Sequence, residues 1–357
     1  MSVQLRIVLD QAVTVVDADR ARAGLALAAG LVQTAPRGCE VAAIVPSGAK
    51  PQIPGLNEVR ALSLGRRELL GAWQLGFASG AGGGLIHAPS LAAPLVRHDR
   101  DHDNDQTTVT LWDLRAWDAP ATLPKAAVAW QRGMLRRAVR HADAVVVPSH
   151  AVATRLGEIA ALSDRLRVIA GAAPLDFREP ADAAARRERM RLPQRYVVLT
   201  GDEESLVAGF RAAAQVDVDA VVLEAADGAE PRLADIASAA GLAEHRAHIR
   251  GRLRDEDRAA ALAGAAALVA TSDASVWPWR LVEAMQLGVP VVAVASGVHA
   301  DVVADGGAVV DAADLTEALK DALGSGAARL RVLASDRSRA FSWVSSAERV
   351  WSLHAEL

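Results

Sequence analysis

The sequence predicts an α/β protein made of two doubly wound units in tandem. Three observations carry this reading. The chain has 357 residues, more than one hydrophobic core usually serves, so two units of roughly 150–180 residues are expected. Short apolar runs alternate with longer helical patterns, as they do where helices cover both faces of a parallel sheet. That alternation stops and then restarts near residue 196.

Residues 5–9, 40–45, 84–87, 108–111 and 144–147 are short apolar runs and read as buried strands. Residues 18–31, 124–142 and 150–162 have helical periodicity, and Ser149 is placed to cap the last of these. Residues 165–169 form one more strand. After the restart, strands are expected at 196–200, 220–224, 248–250, 267–270, 289–293 and 307–310. Helices are expected at 205–214, 231–240, 255–263, 280–287 and 314–323. The polar stretch 178–191, rich in alanine and arginine, reads as the linker. Ligands of open α/β sheets bind at the carboxyl ends of the strands, so the site belongs in the loops there.

Composition narrows the class. The chain is 51% hydrophobic and 23% charged, with a net charge of −4. That is globular, and nothing in the charge favours nucleic acid. A single cysteine, Cys39, leaves no disulfide within the chain and fits a reducing compartment. No charged-then-apolar leader opens the sequence, and no apolar run approaches the roughly 20 residues of a membrane span. A cytoplasmic protein is expected. Residues 98–106 (HDRDHDNDQ) hold His and Asp. They read as a solvated loop, the alternative being a metal site. Residues 80–84 (GAGGG) precede a strand and read as a turn, not a phosphate loop. The basic helix around Arg132, Arg136, Arg137 and Arg140 presents either a solvated face or a weak contact with an anionic membrane surface.

Several segments, taken in order, resemble one family. They are Gly38 to Val41, Leu85 to Pro89, Val109 to Leu114, Ala142 to Ser149, Val168 to Gly171, Gly241 with Leu242, His248 to Gly251 with Asp255, Glu256 and Asp257, and Phe341 to Trp343 with Trp351. The longest is 271–310, which reads as strand end, loop, helix, tight turn and buried strand. Together these resemble the family 4, two-domain (GT-B) glycosyltransferases, of mannosyltransferase-like type. The resemblance implies a GT-B fold: two Rossmann-like domains facing each other across a cleft. The acceptor domain would span 1–175 and the nucleotide-sugar domain 176–340, with a final helix, 341–357, returning to the first. It also implies a retaining hexosyltransferase. The partners would be a nucleotide sugar and a glycan or lipid-linked acceptor, with no metal or other cofactor. Were the chain catalytically degenerate, a partner transferase would be another candidate partner.

Site residues follow from the resemblance position by position. Glu283 stands where the family's second Glu binds ribose hydroxyls, and its other reading is a capping carboxylate. Ser275 replaces the first Glu. Trp277, Pro278 and Trp279 replace a flexible loop, and the two tryptophans either pack or form a stacking wall. Gly201 and Gly251 stand at strand ends near the diphosphate and the base. Cations expected after Gly201 are replaced by Asp202, Glu203 and Glu204. Their charge is wrong for a diphosphate, and helix capping explains them well. Arg280, Arg252 or Arg254 can supply the missing cation through bidentate contacts, or be surface arginines. In the first domain Trp112 replaces a histidine, beside Asp113. An indole cannot exchange a proton as imidazole does. The catalytic group is therefore left unassigned, with Trp112 and Asp113 lining the expected position. The glycine loop expected after 5–9 is replaced by Asp17 to Arg20, and Asp10 and Asp113 read as local caps. These departures motivate the alternative: a catalytically degenerate GT-B protein that binds a glycan, a nucleotide or a partner.

Overall fold

The computed structural model describes residues 3–98 and 105–357. Two compact units are present, each built on its own parallel sheet. The first takes Met1–Ala172, Ser275–Trp277 and Ser342–Leu357, and the second takes Ala173–Ala274 and Pro278–Phe341. The division thus falls after Ala172, and the three residues Ser275–Trp277 go with the first unit although the segments flanking them go with the second.

The first sheet has strands β1 (Val3–Val8), β2 (Cys39–Val45), β3 (Glu58–Ala61), β4 (Leu85–Ala88), β5 (Gln106–Thr110), β6 (Ala144–Val147) and β7 (Leu166–Val168). Their order is β3-β2-β1-β4-β5-β6-β7. Leu5, Ile7, Val41, Ile44, Val145 and Val147 are all buried, because helices lie on both faces. β3 escapes sequence reading because it is an edge strand whose four residues are exposed. The connections reverse direction between β1 and β4. That leaves a crevice past the carboxyl ends of those strands.

Helix Ala18–Gln33 begins where the Asp17 carboxylate accepts the Arg20 amide. A Cβ at Gly30 of this helix would stand 2.7 Å from the Trp343 carbonyl oxygen. Only glycine permits the close approach of the last helix, Trp343–Glu356. Two further bonds hold that helix to the first unit. Trp351 Nε1 donates to the Leu31 carbonyl at 3.1 Å, and Ser346 Oγ donates to the Ala170 carbonyl at 2.7 Å.

The second sheet has β8 (Tyr196–Thr200), β9 (Asp219–Val222), β10 (Ala247–Ile249), β11 (Ala267–Ala270), β12 (Val291–Val294) and β13 (Ala308–Val310). Their order, β10-β9-β8-β11-β12-β13, repeats the first pattern, with the reversal between β8 and β11. Val197, Leu199, Phe210, Val269, Val292 and Leu319 are among the residues that fill its core.

The expected linker 178–191 is a different object. It contains the helix Ala183–Arg189, and Arg186 of that helix bonds Asp257 at 2.8 Å. Alanine and arginine are strong helix formers. The stretch resembles a linker because its polar side answers carboxylates rather than an apolar core. No helix among the described residues is long and apolar enough to cross a membrane. The loop 98–106 falls mostly outside the described residues. Its first residue, His98, meets Asp143 through Nε2 at 3.0 Å. No cluster that could hold a metal occurs among the described residues.

Candidate functional site

In the first unit the strand ends carry two buried carboxylates, Asp10 after β1 and Asp113 after β5. Asp10 accepts from Arg66 Nε at 3.0 Å and from Ser90 Oγ at 3.2 Å. Burial pushes its carboxyl above the usual range in spite of Arg66. Asp113 shows the opposite balance. Burial pushes it up as well, but Arg20 and Arg115 together outweigh that and hold it below the usual range. Arg20 bonds its Oδ2, and Arg115 reaches the same oxygen at 3.0 Å. Asp113 Oδ1 accepts the Arg115 amide at 3.0 Å, two residues along the chain.

The strap Ser275–Trp277 crosses this strand end. Leu114 N–H donates to the Ser275 carbonyl at 2.9 Å, and Trp277 N–H donates to the Trp112 carbonyl at 3.0 Å. Asp113 and Val276 form an antiparallel bridge between them. Trp277 is 1% exposed and rests on Gly171, where a Cβ would come 2.9 Å from both Trp277 and Trp112. Trp112 is also buried. Its Nε1 donates to the Pro89 carbonyl at 2.8 Å, and its ring meets Trp343 edge to face at 6.4 Å. Trp112 and Asp113, which line the expected catalytic position in the sequence, lie beneath the strap. Trp277 packs, as one of its two readings has it. Ser275 contributes its carbonyl to the strap.

In the second unit the loops past β8 and β11 meet closely. A Cβ at Gly201 would stand 2.3 Å from Thr271 Oγ1 and 2.5 Å from Ser205 Oγ, so the loop needs glycine. Asp202 Oδ1 accepts the Ser205 amide at 2.9 Å, and its Oδ2 accepts from Ser272 Oγ at 3.1 Å. Glu203 pairs with Arg232 at 2.8 Å. Asp202 thus caps the start of helix Leu206–Gln215, which answers its charge without any ligand.

Glu283 lies in helix Trp279–Gln286 and is 1% exposed. Arg258 holds it with a two-pronged grip, Nε to Oε2 and Nη2 to Oε1, both 2.9 Å. Arg280 Nη1 lies 3.1 Å from Oε2. Arg258 itself is 0% exposed. It also meets Asp255 at 2.9 Å and Glu224 at 3.5 Å, and its guanidinium lies 5.5 Å from the centre of the Phe177 ring. Arg258, Glu224 and Phe177 were missed in the sequence. The available signal was Arg258 itself, one turn before the apolar Leu262 on the inward face of its helix. Arg252 and Arg254 are exposed and flank Leu253, whose amide donates to Glu224 at 3.3 Å. Gly251 lies between β10 and these arginines, with the Ala225 carbonyl 3.9 Å from where a Cβ would stand.

Residues 204–325 match the family model described as glycosyl transferases group 1. No curated protein matches the chain. Sucrose-phosphate synthase from Thermosynechococcus elongatus is similar in structure over 99% of this chain and 98% of its own, with a TM-score of 0.70 and 19% identity. An Anabaena protein, HepE, solved in complex with UDP and glucose, is similar over 99% of both chains, with a TM-score of 0.67 and 17% identity. AviGT4, a glycosyltransferase involved in avilamycin A biosynthesis, covers 99% of this chain and 97% of its own, with a TM-score of 0.60 and 16% identity. The fold is GT-B. Both units are Rossmann-like, and the matched segment holds Glu283, Arg258 and the loop past β11 within a GT-B second domain.

Proposed function

We propose that this chain is a retaining glycosyltransferase. It moves a hexose from a nucleotide sugar to a glycan or lipid-linked cell-envelope acceptor in the cytoplasm. The observation that carries the reading is the buried, arginine-held Glu283 at the carboxyl end of the second sheet, inside the segment that matches the group 1 glycosyltransferase model. The complex of HepE with UDP and glucose supports the donor class. Ribose hydroxyls donate to Glu283, and the base lies towards Gly251. The diphosphate lies past Gly201, near the first turn of the helix that carries Arg280. Departure of the diphosphate builds negative charge, and Arg280 or Arg252 offsets it where the family's usual cations are replaced by Asp202 and its neighbours. The reading takes no metal. The basic helix Lys125–His141 makes at most a weak contact with an anionic membrane surface.

A second reading is favoured by the strap. With Trp112 and Asp113 buried beneath Val276 and Trp277, neither stands open to a sugar hydroxyl at that strand end. The chain is then a degenerate GT-B protein that binds a nucleotide, a glycan or a partner transferase. Thermal unfolding with UDP or GDP, followed by assay of UDP- and GDP-hexose turnover with EDTA present, separates the two. A ligand at 100 times its Kd stabilises by about 2.7 kcal/mol, so a raised Tm with turnover supports transfer. A raised Tm without turnover supports the binding protein, and an unchanged Tm removes the nucleotide reading.

A further inference from the structure

We propose that Arg258 is the positioning residue for ribose recognition, acting through Glu283. This rests on the nucleotide reading above and adds to it the group that aims the carboxylate.

The geometry is that of a fixed fork. A guanidinium presents Nε and Nη2 in one plane, and a carboxylate that accepts both loses its freedom to rotate. Arg258 makes both bonds at 2.9 Å to the two oxygens of Glu283. Arg258 is itself held from other directions. Asp255 lies one turn earlier on its own helix, Glu224 follows β9, and the Phe177 ring packs against the guanidinium. Arg258 therefore cannot follow Glu283 if the latter turns. The second helix, Trp279–Gln286, carries Glu283 and Arg280 on successive turns, and Arg280 adds a cation beside Oε2. The plane of the carboxylate is set from within the protein. A ribose hydroxyl approaching it meets an acceptor whose direction is already chosen, which lowers the ordering cost of binding.

This arrangement has a specific consequence. Discrimination between ribose and 2′-deoxyribose comes from a hydrogen bond to a charged acceptor, and such a bond is directional. Loosening Arg258 should spoil discrimination more than overall affinity. A structural pair with no part in recognition would lower stability and leave the discrimination ratio as it was.

The experiment titrates the full chain with UDP, 2′-deoxy-UDP, GDP and 2′-deoxy-GDP by calorimetry. The proteins are the unaltered chain, Arg258→Met, Arg258→Lys, Glu283→Gln, and the double variant Arg258→Met with Glu283→Gln. The unaltered chain should prefer the ribonucleotide by about tenfold, as loss of one bond to a charged group implies. Arg258→Met and Glu283→Gln should each bring the ratio near one. The double variant should bring no further loss, because the two residues act through one contact. Arg258→Lys keeps the charge without the fork and should recover part of the ratio. If Arg258→Met fails to fold, the double variant and Arg258→Lys still report. A ratio in Arg258→Lys equal to that of the unaltered chain overturns the proposal. So does full discrimination in Arg258→Met while Glu283→Gln has lost it. Discrimination that survives Glu283→Gln overturns the ribose role of Glu283, and the proposal falls with it. Absence of nucleotide binding by the unaltered chain is a different failure: it removes the functional reading on which the proposal stands.

Discussion

Asp113 in the first unit and Glu283 in the second are answers to one physical problem. Each is a carboxylate at the carboxyl end of a parallel sheet, each is 1% exposed, and each is met by two arginines. They differ in what surrounds the arginines. Arg20 and Arg115 keep 20% and 37% of their side chains exposed, so water screens that cluster from one side. Arg258 keeps none. The cover differs too, since Asp113 lies under the backbone strap Ser275–Trp277, which occupies its strand end with hydrogen bonds and an indole. Both carboxylates are covered, and the first is the electrostatically relaxed one. The other is electrostatically tight and lies within the segment that matches a glycosyltransferase model. Similar charges at similar places in a repeated fold therefore do not imply similar roles.

The largest expected effect tests that contrast directly. Glu283→Ala leaves Arg258 buried without its main partner, and breaking a buried pair costs about 3–5 kcal/mol. Asp113→Ala releases two arginines that can turn to water and should cost about half of that or less. Urea unfolding of both variants measures the difference. Equal losses would mean that exposure of the arginines does not govern these sites.

A smaller effect is the pH dependence that a buried histidine pair gives the first unit. His87 and His354 are buried in the first unit, with rings 6.1 Å apart. They are joined through Thr108, and His354 also meets Gln106. Burial, then the neighbouring His354, pushes His87 down to about 3, and burial pushes His354 down to about 4. An unfolded histidine titrates near 6.5, so between about 6.5 and 4 the unfolded chain binds more protons than the folded one. Stability contributed by the first unit is present above pH 6.5 and is lost as pH falls through that window. His354→Gln should flatten the slope of Tm against pH there, and an unchanged slope would show that the pair does not titrate on unfolding.

Much of the fold was legible because it rests on periodicity. The runs at 144–147, 196–200 and 267–270 match β6, β8 and β11 to the residue. Exposed β3 and the helix Ala183–Arg189 were not legible, since neither buries an apolar stripe that a pattern can reveal. The candidate site was legible only as positions. Gly201 and Asp202 stand just past β8, while Glu283 stands in the second turn of helix Trp279–Gln286. What Glu283 touches was hidden, because Arg258 lies 25 residues away in sequence. Trp112 and Trp277 show the same limit: they lie 165 residues apart in sequence and meet over Gly171.

Hydrogen–deuterium exchange of the full chain with saturating UDP or GDP tests the central claim most directly. Added amide protection is expected in helices Asp255–Ala263 and Trp279–Gln286 and in the loop past Gly201, where Glu283 and its arginines would hold the nucleotide. Protection absent from these segments, or found only in the first unit, would contradict it.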